Sequence, residues 1–220
     1  MIYLTHNNLA KWTGGNWKKI TTSENIVGVS QDSRKILPGM LYIALEGKNY
    51  NGHDFITEAF QKGAIAAVVS DSYRGKENDL LLVKEPLAAL QQIACEYRKL
   101  WNGRLVGVTG SVGKTTVKDL CSAILGDQTH KSLGNYNNHI GVPLSLLSIN
   151  DHYNYSIIEI GMSKPGEIKK LSRMASPEIG IITDLGLAHR EYFENLEQIV
   201  DEKAELLRVL PKNGLAILMK

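Results

Sequence analysis

The chain has 220 residues, a formal net charge of +2, 43% hydrophobic and 22% charged residues, which suits a globular protein of one large domain or two ordinary ones. So small a net charge provides no basic field for nucleic acid, and no stretch reaches the ~18 apolar residues of a membrane span. MIYLTHNNLAKWTGG at the start lacks the apolar core of a secretory signal, so the expected location is the cytoplasm. Cys95 and Cys121 have no metal-type spacing and read as two buried, reduced thiols.

In chain order, LYIAL (41–45) reads as a short strand and KNYNGH (48–53) as a turn with an Asn-Gly step. DFITEAFQKG (54–63) reads as a helix with Asp54 as its N-cap and Gly63 just past its end. AIAAVVSD (64–71) and LLLVK (80–84) are further strands. The next segment has apolar residues at 87, 90, 94, 97 and 101, a helical spacing. This helix is expected to connect two domains, 1–85 and 86–220.

RLVGVT (104–109) then reads as a strand, followed by a glycine-rich loop and a helix over 114–125. Strands at 155–161, 178–186 and 214–220 alternate with helices at 164–175 and 195–210. The expected fold class is α/β: a small N-terminal α/β domain, then an incomplete doubly wound, mostly parallel sheet. Ligands of such sheets sit beyond the carboxyl ends of the strands, where the glycine loop, Glu159 and TDLGLAH (183–189) all fall.

GVTGSVGKTT (107–116) departs from the common phosphate loop, G-x-x-x-x-G-K-[ST], because Val108 stands where the first glycine belongs. One reading is an ordinary strand-to-helix turn. The other is a phosphate cradle built by Thr109, Gly110, Ser111, Val112, Gly113, Lys114, Thr115 and Thr116. Backbone N–H groups and the helix N-terminus would face the anion, Lys114 would reach the terminal phosphates, and the Thr115 hydroxyl would face Mg²⁺. Glu159, ending an apolar strand, is either an exposed edge carboxylate or a buried one with a partner. His189 is either a plain loop residue or a site residue by virtue of its place after a strand. Lys203 falls amid Leu196, Ile199, Val200, Leu207 and Leu210 on the apolar face of the last helix, with Glu202 placed elsewhere. It either snorkels to water or is held for chemistry, since a desolvated lysine loses its proton more readily and a neutral amine can take up CO₂ as a carbamate.

TGSVGKTT, GNYNNHIGVPLSLL (134–147), EIGMSKPGEI (159–168), ITDLGLAHREYF (182–193) and VDEKAELL (200–207) resemble, in that order, the ATP-dependent Mur ligases. The loop TGxxGKT is that family's own form of the phosphate loop. QDSRKILPGMLYIALEGKNYNGHDFITEAFQKGAIAAVV (31–69) is similar to the nucleotide-sugar domain of the branch that adds D-Ala-D-Ala to UDP-N-acetylmuramoyl-tripeptide. The resemblance covers about residues 28–220. It implies that Lys114 and Thr115 hold the ATP phosphates and one Mg²⁺, that Glu159 and His189 bind two Mg²⁺ ions, and that Lys203 is the carbamylated lysine. Lys114, His189 and Lys203 would be catalytic. Ser33, Arg34, Lys48 and Asn49 match the region that holds uridine diphosphate, and Asn135, Asn137 and Asn138 the region near the muramoyl-peptide. The implied reaction is amide synthesis through an acyl phosphate.

Two local departures are Asn51, where DGH is common, and Asp184, where asparagine is usual. Family members are longer, with a third domain, so the 220 residues alone are expected to bind the UDP-sugar weakly or moderately and ATP poorly, without ligating. A sheet ending in mid-domain is expected to expose an edge open to self-association, or the chain needs a missing C-terminal half. Two other readings stay open: a non-catalytic module that holds UDP-muramoyl-peptide or a partner subunit, and an amide ligase acting on folate or cyanophycin, which the N-terminal sugar domain disfavours.

Overall fold

The computed structural model describes residues 4–186, 192–193 and 195–218, and divides into two compact units, one up to Glu96 and the other from Tyr97.

The first unit contains α1 (His6–Thr13), β1 (Asn16–Lys18), β2 (Gly28–Ser30), β3 (Met40–Ile43), α2 (Ile56–Gln61), β4 (Ala66–Ser70), β5 (Leu80–Val83) and the start of α3 (Pro86–Leu100). Its sheet runs β1-β5-β4-β3-β2, with β1 antiparallel to β5 and the other pairs parallel. Tyr42, Ala44, Ile56, Ala67, Val69 and Leu80 form its buried core. Asp54 is not a helix cap. A 3-10 turn, Gly52–Phe55, precedes α2, and Asn51 caps that turn by accepting from the His53 N–H at 3.0 Å. The chain is already coiled when α2 begins at Ile56, so α2 has no side-chain cap. Gly63 does follow its end, at φ +102°.

In the second unit come β6 (Arg104–Thr109), α4 (Lys114–Leu125), β7 (Thr129–Lys131), α5 (Gly141–Leu147), β8 (Tyr155–Glu159), α6 (Glu167–Ala175), β9 (Ile179–Ile182), α7 (Leu196–Arg208) and β10 (Leu215–Leu218). The strand order is β10-β9-β6-β8-β7, parallel throughout. One face, built from Val106, Val108, Ile157 and Ile181, receives α4 through Val117 and Cys121. The opposite face receives α7: a Cβ on Gly107 would lie 2.8 Å from Leu206, and one on Gly180 3.0 Å from Leu207. Helices on both faces make the sheet doubly wound. The first strand, β6, is central, with β8 on one side and β9 on the other, so the loop after β6 opens where the strand order reverses.

The units part inside α3 instead of near residue 85, where the helix begins. Arg98 explains why the end of α3 belongs to the second unit. Its buried guanidinium donates to the carbonyls of Ala175 (2.9 Å), Trp101 (3.1 Å) and Ser176 (3.1 Å) and to Glu178 Oε1 (2.9 Å). Neither cysteine is in a disulfide, and both are half-buried, short of the full burial expected. The apolar side chains Leu215, Ile217 and Leu218 of β10 are exposed. Among the described residues no helix is long and apolar enough to cross a membrane.

Candidate active site

The loop between β6 and α4 is shaped by its glycines. Gly113 precedes α4 at φ +84°, a left-handed conformation that a side chain would strain. A side chain on Gly110 would collide with Thr183. Thr183, at the end of β9, donates its hydroxyl to the Val112 carbonyl at 2.6 Å. Ser111 donates its N–H to the Asp184 carbonyl (2.8 Å) and exchanges two further bonds with Gly186. The loop is thus laced to the segment after β9. Thr109 is fully buried, and its hydroxyl has no partner among the described residues. Lys114 folds over the loop and donates to the carbonyls of Gly110 (2.8 Å) and Ser111 (3.3 Å).

Glu159 ends β8 and is buried, not an exposed edge carboxylate. Its Oε2 accepts from the Thr115 hydroxyl at 2.8 Å, and its Oε1 from Asn137 Nδ2 at 2.8 Å. A carboxylate costly to bury is therefore bonded on both oxygens. Asn135 and Asn138 do not share this contact. Asn135 accepts the Asn137 N–H through its carbonyl, and Asn138 Oδ1 accepts from Ile140 and Gly141 at the entry to α5.

Lys203 is fully buried. Burial, reinforced by the positive charge of Lys114, lowers its ammonium to about 8, while Glu202 acts the other way. The buried residues of α7 are Ile199, Glu202, Lys203 and Leu206, whereas Leu196 and Val200 are exposed. The apolar face expected from the sequence is thus rotated, and Glu202 lies inside it. His189 lies outside the described residues. Among the described residues no cluster of three or more His, Cys, Asp or Glu side chains could hold a metal. A magnesium ion that rides on phosphates needs only one or two carboxylates, and Glu159 beside the Thr115 hydroxyl meets that need with oxygen donors.

Within the first unit, Gln31, Asp32, Ser33, Arg34, Tyr42, Tyr50, Phe55 and Glu58 line a cavity of about 410 Å³. Ser33 donates to Glu58 at 3.0 Å, and Arg34 forms a two-pronged pair with Asp32 at 2.8 and 2.9 Å. That guanidinium holds the Asp32 carboxyl below its ordinary value, and Lys62 with Ser33 does the same for Glu58. Lys48 and Asn49 lie on the exposed turn just before Tyr50 and do not line the cavity.

Several residues of these two sites escape a sequence reading. In the cavity they are Asp32, Tyr42, Tyr50, Phe55 and Glu58, which carry no signal of their own. Around the loop, Ser132 and Thr183 lie in or beside the motifs without a further signal, and Glu202 reads as a solvated charge. A hint is available for Lys118, three residues after Thr115 and so on the same side of α4.

The Mur ligase middle domain pattern matches residues 108–220. The chain belongs to the Mur ligase family. A second pattern, described as the Mur ligase family catalytic domain, matches residues 25–98. Among Mur ligases, the UDP-N-acetylmuramoyl-tripeptide--D-alanyl-D-alanine ligase of Bacillus subtilis (strain 168) is 37% identical over 99% of this chain and 49% of the relative. The same-named enzyme of Escherichia coli (strain K12) is 39% identical over 86% of this chain and 42% of the relative. MurF from Acinetobacter baumannii superimposes with a TM-score of 0.90 at 29% identity, over 99% of this chain and 49% of that one. MurF from Thermotoga maritima, solved in complex with ADP, gives 0.79 at 31% identity, over 88% and 46%. The chain spans about half the length of the Mur ligases it matches.

Proposed function

We propose that this chain supplies the nucleotide-sugar and ATP-holding parts of a MurF-type ligase, which joins D-Ala-D-Ala to UDP-N-acetylmuramoyl-tripeptide. The observation that carries the reading is Glu159, buried and bonded to Thr115 of the glycine loop and to Asn137. A carboxylate, a threonine hydroxyl and a lysine gathered on one phosphate-type loop are what a nucleoside triphosphate with a divalent ion requires. The relatives' names agree with that chemistry.

Residues 109–116 would cradle the ATP phosphates, with Lys114 swinging from its carbonyl partners to the terminal oxygens. Thr115 and Glu159 would hold Mg²⁺, which when bound offsets negative charge on the phosphate oxygens. His189 and Lys203 are assigned to a second ion. Lys203 would serve as a carbamate: its neutral amine adds to CO₂, a C–N bond forms and one proton leaves. Burial and the lowered ammonium support that assignment. Ser33 and Arg34, with Lys48 and Asn49 on the nearby turn, would hold the uridine diphosphate, and Asn135, Asn137 and Asn138 would face the muramoyl-peptide. In the reaction, the peptide carboxylate takes the γ-phosphoryl group of ATP, ADP leaves, the amine of D-Ala-D-Ala attacks the acyl phosphate, and phosphate departs with loss of a proton. The side chains' share is positioning and charge neutralisation.

The test is phosphate release from ATP, dependent on both UDP-N-acetylmuramoyl-tripeptide and D-Ala-D-Ala, by a protein that carries this chain. Lys114→Ala should abolish it. Release that persists in the variant, or that ignores either acceptor, overturns the assignment.

A further inference from the structure

Lys118 is a lysine with almost no contact with water, being 2% exposed, one turn into α4 from the phosphate loop. Such a cation is costly unless every proton and its charge are met. Two of its three N–H groups are accounted for by the carbonyls of Ser132 at 3.0 Å and Gly134 at 3.3 Å. Its charge is met by Glu159 Oε2 at 4.0 Å, on the inner side, and by the more exposed Asp119 Oδ1 at 3.9 Å.

The two carbonyls belong to the turn that leads into Asn135–Asn138. The Ser132 hydroxyl accepts the backbone N–H of Glu159 at 3.0 Å. Gly134 takes φ +49° and redirects the chain, and Gly161 donates its N–H back to the Asn137 carbonyl at 2.7 Å. One ammonium therefore touches each part of a closed circuit: the turn that presents Asn137, and the carboxylate that Asn137 and Thr115 grip. Thr115 and Lys118 reach that carboxylate from the same side of one helix, three residues apart.

We infer that Lys118 is a positioning residue of this site: it fixes the Ser132–Gly134 turn and stands as counter-ion behind Glu159, so that Asn137 and Thr115 meet the two carboxylate oxygens. The functional meaning of Glu159 rests on the proposed ligase reading; the arrangement itself does not.

The test uses the chain without nucleotide. In the wild type, the Asn137 side-chain amide protons, assigned by their loss in Asn137→Ser, should exchange slowly with solvent. Lys118→Met keeps the volume and removes the charge, and should speed that exchange roughly tenfold or more while the amides of β6 and β8 keep their protection. Unchanged Asn137 exchange in a folded Lys118→Met overturns the inference. Should Lys118→Met fail to fold, the double variant Lys118→Met/Glu159→Gln, which buries neither charge, should recover the fold. A double variant that stays unfolded overturns it equally. Neither readout involves ATP, so a failed ligase assignment leaves this result standing, and the reverse.

Discussion

Glu202 of α7 accepts the backbone N–H groups of Gly166, at 2.8 Å, and Ile168, at 3.0 Å, and so closes the N-terminus of α6 with the residue next to Lys203. Helix starts leave N–H groups without internal partners, and a buried carboxylate from a neighbouring helix answers two of them here. The contact fixes α7 against α6 at the turn that carries Lys203. Glu202→Ala should lower unfolding free energy in urea by about 2–3 kcal/mol, since it strands two N–H groups. Glu202→Gln, which keeps one acceptor oxygen, should cost less. A loss no larger than that of an exposed glutamate on the same helix, such as Glu197, would show that the contact contributes little.

Lys203 has an ammonium lowered from the ordinary 10.5 to about 8 by burial and by Lys114. Between those values the unfolded chain holds more protons than the folded one, so this residue makes stability rise with pH from about 8 towards 10.5, a contribution that is lost as pH falls through 8. The stability difference between wild type and Lys203→Met should therefore move in favour of the wild type between pH 7.5 and pH 9.5. With ¹³C-bicarbonate, the wild type should show a carbamate resonance that is missing from Lys203→Met. A pH-independent difference would mean that the amine is wetter than its burial implies.

The parts of the fold that can be read from the sequence are those where several local signals agree. α4 begins and ends as expected, at Lys114 and Leu125, because glycines with positive φ stand on both sides of it, Gly113 and Gly126. β6 and β8 have apolar centres, Leu105–Val108 and Ile157–Ile158, and read as buried strands. By contrast β7 is Thr-His-Lys, too short and polar to show any period, and it owes its place to pairing with β8. β1 and β2, three residues each, are missed for the same reason of length, and α1 and α5 are missed as well. In the site, Glu159 can be anticipated because it ends an apolar run, and the loop because of its glycines. Lys118 and Glu202 are charged residues on amphipathic helices, whose burial follows from partners in other elements: the Ser132–Gly134 turn and Glu159 for Lys118, the start of α6 for Glu202. Helical periodicity alone does not reveal those partners. The rotation of α7 has the same origin: Gly107 and Gly180 admit Leu206 and Leu207 closely and turn the helix so that Val200 faces outward.

Arg34 lies at the mouth of the first unit's cavity, exposed but locked to Asp32 by two hydrogen bonds. A guanidinium held flat in this way is suited to paired phosphate oxygens. Arg34→Ala should weaken binding of UDP-N-acetylmuramoyl-tripeptide roughly tenfold in calorimetry, the scale expected for loss of a charge-assisted pair. Its melting temperature should stay that of the wild type, because a solvent-exposed pair adds little to stability. Lys48→Ala, on the turn that does not line the cavity, should have the smaller effect on affinity. The reverse order would move the diphosphate away from Arg34.

His130 sits in β7 between two hydroxyls, with Nδ1 2.9 Å from Ser156 Oγ and Nε2 2.9 Å from Ser148 Oγ. The Ser148 hydroxyl gives its own proton to the Ser145 carbonyl at 2.8 Å and so accepts from Nε2–H, while Ser156 donates to Nδ1, and the neutral ring is satisfied in that tautomer. No carboxylate contributes, and burial alone lowers its pKa from 6.5 to about 4. Below 6.5 the unfolded chain takes up a proton that the folded chain refuses until about pH 4, so the stability due to this residue is present above 6.5 and is lost as pH falls to 4. The full shift corresponds to about 3 kcal/mol. Carboxylates titrate in the same range, so the measurement is a difference: the urea stability of wild type and of His130→Gln, each at pH 7 and pH 4.5. The wild type should lose about 2–3 kcal/mol more than the variant over that interval. Equal losses would mean that the ring titrates in the folded chain as it does in the unfolded one, because β7 opens to water before it titrates, and the edge of the parallel sheet beside Glu159 would then be looser than its packing implies.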